Sequence, residues 1–171
     1  TNPQGLGEAI ALCAPHLSED EPTLIVLGDT LFEADLDKLT SMSSNVLCTR
    51  TVNNPERFGV AVADEHGTIT QLVEKPQEFV SDQALVGIYW ITDTESLIRN
   101  LNKLINEDIR TRGEYQLTDG LAFMMSEDHI KFTATGIKEW LDCGKPETLI
   151  ETNAKVLEGN HSVSAHAKLE N

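Results

Sequence analysis

Residues 23–27 form an apolar, β-rich run that ends on Gly28-Asp29. Such a run reads as a buried strand delivering a carboxylate to its carboxyl end, which in an open α/β sheet is the edge where ligands bind. A second carboxylate follows late in the chain, in Glu139-Trp140-Leu141-Asp142-Cys143-Gly144, where another short apolar run ends on an Asp beside a Gly. Asp29 alone reads equally well as a turn or cap residue. Two strand-end Asp residues in the same local setting suggest a divalent metal site.

The pattern around these two points is that of alternating strands and helices. Leu6, Ala9, Ile10, Cys13 and Leu17 have the spacing of an amphipathic helix over residues 6–17, with Pro15 weakening its last turn. A short helix is predicted over 35–40 with an Asp near its cap, and a strand over 45–52. Runs 58–63 and 68–73 flank Asp64-Glu65-His66-Gly67 as a hairpin, which Pro76 ends. A strongly apolar strand over 84–91 precedes a helix from 92 or 93 to about 107. A helix over 115–126, a strand over 130–135 and a helix over 146–157 with Pro in its first turn follow. This alternation implies an α/β fold with a mainly parallel mixed sheet and an inserted antiparallel hairpin. In the last dozen residues Val163, Ala165, Ala167 and Leu169 alternate with small or polar residues, as in a strand or the lead into another domain.

The 171 residues carry 28 acidic and 13 basic side chains, a formal charge of −15, which disfavours a nonspecific nucleic-acid or anionic-membrane surface. A phosphate-bearing ligand must then be met by metal, backbone N–H groups and a few placed cations. Cys13, Cys48 and Cys143 are too widely spaced for paired motifs and suit buried thiols in a reducing compartment. The sequence contains no signal-peptide pattern and no apolar run of transmembrane length, so a cytoplasmic location is the expectation. None of the five histidines has metal-ligand spacing, and none is assigned a catalytic role.

Seven motifs, in order, carry a resemblance. They are Pro3-Gln4-Gly5-Leu6-Gly7-Glu8-Ala9, Leu27-Gly28-Asp29, Asn54-Pro55-Glu56-Arg57-Phe58-Gly59-Val60 and Glu74-Lys75-Pro76, then Val86-Gly87-Ile88-Tyr89, Arg112-Gly113-Glu114-Tyr115-Gln116-Leu117-Thr118-Asp119 and Trp140-Leu141-Asp142-Cys143-Gly144. Over roughly residues 1–158 the chain resembles the sugar-1-phosphate nucleotidyltransferases, above all the glucose-1-phosphate thymidylyltransferases and uridylyltransferases. The resemblance implies a Rossmann-like nucleotidyltransferase fold and a reaction joining dTTP or UTP to a sugar 1-phosphate, glucose 1-phosphate in the first instance. It also implies Mg²⁺ as cofactor, held by Asp29 and Asp142 between the two substrates' phosphates, with no protein nucleophile required.

Further roles follow position by position from the same resemblance. Gly5 falls where the family's backbone approaches the nucleobase, and Gly59 beside the sugar, although Gly59 is also readable as a turn-end glycine. Glu74 matches the carboxylate that accepts from sugar hydroxyls and Lys75 the ammonium that binds the sugar phosphate. An adjacent acid and base on a strand point to opposite faces, so both enter one site only if the strand bends; Pro76 is a plausible cause, and a solvated strand end is the alternative. Gly87 would let sugar approach its backbone, with Tyr89 lining the pocket or simply packing in the core. Trp140 is read as a core and pocket-wall residue. Glu114 and Asp119 flank a helix start and are given a structural role first; Cys143 is read as a residue of fit.

The resemblance also predicts what is missing. The family begins with a strand and a Gly-rich loop whose N–H groups cradle the triphosphate beside an Arg and a Lys, and the 171 residues contain no such segment. Residues 1–159 are therefore expected to be part of a catalytic domain, inactive by themselves. Residues 160–171 form a tail resembling the lead into a left-handed β-helix, and a homo-oligomer is expected at full length. The rival expectation is a noncatalytic sugar-nucleotide-binding or regulatory module.

Overall fold

The computed structural model describes residues 3–158, so the tail lies outside the described residues. In chain order the elements are α1 (Leu6–Ala11), β1 (Thr23–Val26), β2 (Thr30–Glu33), α2 (Leu36–Thr40), β3 (Asn45–Thr51), β4 (Gly59–Ala63) and β5 (Ile69–Glu74). Then come β6 (Gln83–Ile91), α3 (Thr94–Asn106), α4 (Leu117–Ser126), β7 (Phe132–Gly136), β8 (Glu139–Asp142) and α5 (Pro146–Glu158). Helix α1 is shorter than its apolar spacing predicts. Pro15 lacks an N–H and collides with the preceding turn, so residues 14–16 tighten into a 3₁₀ turn instead of extending the helix.

Strand β6 organises the main sheet, whose order is β5-β4-β6-β3-β7 with β1 also paired to β6. Along one edge β6 carries β3; on the other it carries β1 opposite Ile88–Ile91 and β4 at Ala84. These pairings and β4 with β5 are antiparallel, and only β3 with β7 is parallel among the described strands. The mixed α/β architecture is as expected, but the predominance of parallel pairs is not. Strand β6 lies beside β4, the first strand of that hairpin, so it runs in the same direction as β5 but antiparallel to each strand it pairs with.

Period-2 alternation in β3 and β6 divides the core. Leu47, Leu85, Tyr89 and Ile91 face α1, α3 and α4, where Leu97, Leu101, Leu121 and Met124 complete one cluster. Val46, Cys48, Val86, Ile88 and Trp90 form a second cluster on the opposite face with Leu39 of α2. Of the three thiols expected to be buried, only Cys48 is; Cys143 is half-buried and Cys13 exposed, in the turn after α1. Burial pushes the Cys48 thiol up to about 11, so it stays an inert core group at neutral pH.

Strand β1 corrects a second expectation. The apolar run predicts a buried strand, yet β1 pairs with β6 alone among the described strands, and the face that carries Leu24 and Val26 is left exposed there. The segment after Asp29 was not read as a strand at all, but β2 forms an antiparallel ribbon with β8. Four residues are too few for periodicity to announce a strand, and β2 exists because β8 supplies its hydrogen-bonding partner.

The helical layer is tied by Asp128, which accepts from Ser96 Oγ at 2.5 Å, Asn100 Nδ2 at 2.6 Å and Arg99 Nη2 at 2.8 Å. The Ser96 hydroxyl, with help from Asn100 and Arg99, holds its carboxyl below the usual carboxylate range. A carboxyl depressed on folding stabilises above its unfolded value and ceases to as pH falls through its folded value. Asp128→Asn is therefore expected to lower stability by about 1 kcal/mol in urea titrations at pH 6. The gap from wild type should persist down to about pH 4 and close below it.

Candidate active site

The two candidate metal carboxylates are brought together by main-chain pairing. In the β2–β8 ribbon Thr30 lies opposite Asp142, and the N–H of Cys143 donates to the carbonyl of Asp29 at 2.8 Å. Asp29 occupies the turn between β1 and β2, just past Leu27, whose N–H donates to the Gly87 carbonyl of β6 at 2.9 Å. Gly144 measures the outcome: a Cβ there would lie 3.1 Å from Asp142 Oδ1 and 3.2 Å from Asp29 Oδ2, so both carboxylates converge on one small volume. Asp142 Oδ1 accepts from the Gly144 N–H at 2.9 Å and Oδ2 from Arg57 Nη2 at 3.2 Å.

A cavity of about 370 Å³ opens beside this pair. Asp29, Gly59, Glu74, Lys75, Gly87, Tyr89, Trp140 and Asp142 all line it. Gly5 does not, although its neighbour Leu6 does. Gly5 has φ +121°, and a Cβ there would fall 2.6 Å from the Tyr115 carbonyl oxygen, so the fold itself demands glycine at that position. Main-chain bonds from Tyr115 N–H to Gln4 and from Gly7 N–H to Tyr115 fasten the loop there.

Glu74 and Lys75 both reach the cavity, and the reason is not the one the sequence suggested. Lys75 itself adopts φ +44°, a left-handed turn that rotates its side chain onto the same side as Glu74; the strain costs on the order of 1–2 kcal/mol. That turn is held by Lys75 N–H to the Phe58 carbonyl at 2.9 Å and by Arg112 Nη2 to the Lys75 carbonyl at 2.8 Å. Glu74 is nearly buried and accepts from Thr118 Oγ1 at 2.7 Å, with Lys75 Nζ 3.3 Å from its other oxygen. A buried charge needs such partners, and here they also fix its direction. The buried Tyr89 phenol is pushed well above its ordinary range by desolvation and then by the charge of Glu74, so it remains a neutral wall.

Several cavity residues escaped the sequence reading: Thr30, Arg57, Gln116, Thr118 and Lys145. Gln116 and Thr118 stand inside the motif over 112–119, but nothing in the spacing of that motif points Thr118 at Glu74. Arg57 stands inside the motif over 54–60, but nothing in its spacing points at Asp142. Among the described residues four buried side-chain polar atoms lack a partner, and three belong to cavity residues: Thr30 Oγ1, Arg57 Nε and Trp140 Nε1.

A family model described as Nucleotidyl transferase matches residues 1–159. The chain belongs to the nucleotidyl transferase family. It is 32% identical over 162 residues to the low-salt glycan biosynthesis nucleotidyltransferase Agl11 of Haloferax volcanii, covering 92% of this chain and 44% of that protein. To the bifunctional protein GlmU of Methanococcus aeolicus it is 33% identical, over 92% of this chain and 36% of GlmU. To a glucose-1-phosphate thymidylyltransferase of Streptomyces antibioticus it is 29% identical, over 92% and 44%. The fold matches apo UDP-glucose pyrophosphorylase with a TM-score of 0.77 at 24% identity, covering 93% of this chain and 62% of the other. The chain thus spans less than half the length of these curated relatives, and its resemblance to sugar-1-phosphate nucleotidyltransferases is borne out. No described helix is long and apolar enough to cross a membrane.

The donor set suits a divalent cation of the Mg²⁺ type, which takes one or two protein carboxylates and completes its shell with water and substrate phosphates. Asp29 and Asp142 supply two converging carboxylates, and no cluster of three or more His, Cys, Asp or Glu occurs among the described residues.

Gly87 offers a test of the scaffold. It has φ +81° inside β6, and a Cβ there would lie 3.0 Å from the Leu27 side chain; Gly113, at φ +84°, has open space. Gly113→Ala should cost only the backbone term of roughly 1 kcal/mol, whereas Gly87→Ala should cost about 1–3 kcal/mol more in chemical denaturation, through overpacking against Leu27.

Proposed function

We propose that this chain is part of a Mg²⁺-dependent sugar-1-phosphate nucleotidyltransferase that joins dTTP or UTP to glucose 1-phosphate. The single observation that carries the reading is the convergence of Asp29 and Asp142 at Gly144, over a cavity that also holds the Glu74–Lys75 pair. Residues 1–159 belong to the catalytic unit and 160–171 to a separate tail, within a cytoplasmic and oligomeric whole protein.

In this reaction a phosphate oxygen of the sugar 1-phosphate attacks the α-phosphorus of the triphosphate. The bond from that phosphorus to the β-phosphoryl oxygen breaks, and pyrophosphate leaves. Bound Mg²⁺ would supply charge neutralisation between the two phosphates. Lys75 holds the sugar phosphate, and Glu74, already aimed by Thr118, accepts from sugar hydroxyls across Gly59. The absence of a side chain at Gly59 matters here: a Cβ would lie 2.9 Å from Glu74 Oε2 and 2.7 Å from Thr118 Oγ1, in the space a sugar hydroxyl would use. Tyr89 and Trp140 wall the pocket, and Gly87 keeps its floor low. The loop around Gly5 approaches the base. With no Gly-rich phosphate loop among its motifs, the 171-residue chain by itself is expected to bind sugar 1-phosphate without turnover.

The decisive experiment is pyrophosphate release by the intact protein that carries this chain, supplied with dTTP or UTP and glucose 1-phosphate. Activity is expected, and Asp29→Asn or Asp142→Asn should each lower kcat/KM by at least about 100-fold without changing the melting temperature by more than a few degrees. Tight nucleotide-sugar binding with no pyrophosphate from any sugar 1-phosphate would instead identify a binding module.

A further inference from the structure

Arg57 ends the 3₁₀ turn Pro55–Arg57 that leads into β4, and it points its guanidinium across the cavity mouth to Asp142. Two observations set it apart from an ordinary ion pair. Among the described residues its one side-chain hydrogen bond is the 3.2 Å contact from Nη2 to Asp142 Oδ2, which leaves other donors of the fork without a protein partner. Its Nε is buried and has no partner, while the guanidinium carbon lies 5.2 Å from the centre of the Phe58 ring, itself packed edge-on against Trp140. An aromatic face steadies a guanidinium without consuming its donors. Arg57 thus lies within cation–π distance of Phe58 and is incompletely satisfied by Asp142.

The oxygen that Arg57 occupies belongs to one of the two carboxylates assigned to the metal, so the inference rests on the function proposed above. Arg57 and a divalent cation at Asp142 cannot both use the same charge fully. We propose that Arg57 exchanges partners: it neutralises Asp142 in the free protein, gives that carboxylate up when a divalent cation binds, and then turns its charge to the phosphate of the bound sugar 1-phosphate. Its planar fork suits a phosphate, with two donors presented side by side. It lines the same cavity as Lys75, the ammonium assigned to that phosphate. Arg57 thus prevents two uncompensated carboxylates from facing each other in the free protein and adds a second cation once substrate is present.

The two halves of this role predict opposite effects of one substitution. Mn²⁺ alone is titrated into the intact protein that carries this chain, following free Mn²⁺ by electron paramagnetic resonance. Glucose 1-phosphate is then titrated in saturating Mn²⁺ by calorimetry. Arg57→Met is expected to bind Mn²⁺ about threefold to tenfold more tightly than wild type, since the competing cation is gone. It should bind glucose 1-phosphate at least about tenfold more weakly. Arg57→Lys keeps the charge and should stay within about threefold of wild type for Mn²⁺ while losing part of the phosphate affinity; it also serves if Arg57→Met does not fold. A merely structural Arg57 would weaken both ligands together, and that outcome, or unchanged Mn²⁺ affinity in Arg57→Met, overturns the inference. If wild type and Arg57→Met both fail to bind Mn²⁺, the carboxylate pair is not a metal site, and the inference falls with that assignment; wild-type binding with unchanged Arg57→Met affinity sinks the inference alone.

Discussion

Two carboxylates from opposite ends of the chain share one small volume because their backbones are hydrogen-bonded to each other. The Thr30–Asp142 register of the β2–β8 ribbon and the Cys143-to-Asp29 main-chain bond do this work, since the two like-charged side chains would not approach of their own accord. Everything assigned to the site assumes this ribbon. Glycine at 144 keeps the space between the carboxylates open, and Arg57 compensates one of them. A ribbon of two short strands is marginal alone. Here it is packed through Phe32 and Trp140 onto the cluster that contains Val86 and Ile88.

The rest of the pocket depends on β6 in the same way. Its alternation sends Val86, Ile88 and Trp90 to one core and Leu85, Tyr89 and Ile91 to the other. At Gly87 the positive φ and missing side chain let Leu27 lie against the strand. Leu27 is tied to Gly87 by its N–H, and two residues later the chain presents Asp29. The opposite wall of the cavity is built with comparable economy: Lys75 in a left-handed conformation, Glu74 pinned by Thr118, and the Arg112 guanidinium closing on the Lys75 carbonyl. Strain at Lys75 is offset by those bonds, and the result is an acid and a base on one side of a strand where neighbours ordinarily diverge.

Legibility differed by kind of feature. Long elements with a clean period, such as α3 and β6, were readable because burial of one stripe or of both faces leaves a repeating trace in composition. Helix α1 was over-extended because apolar spacing continued past the point where Pro15 stopped the backbone. Strand direction was misjudged, since alternation of strands and helices carries no record of which neighbour a strand will pair with. Asp29, Glu74, Lys75 and Asp142, singled out from the motifs, all line one cavity, whereas the contacts of Arg57 and Thr118, which stand in the same motifs, reach residues far away in sequence and leave no local trace.

By itself the sequence determined which residue types were available and where the backbone had to be special: carboxylates beside glycines at 28–29 and 142–144, glycine inside the apolar run at 87, proline at 15 and 76. Such constraints are local, a matter of φ, of a missing N–H or of side-chain volume, and they are written residue by residue. Only the tertiary structure decided that β2 exists, that its register sets Thr30 against Asp142, that β1 keeps one face exposed and that Arg57 meets Asp142. Those outcomes depend on pairing between distant segments, where the energy lies in contacts that no single stretch of chain contains.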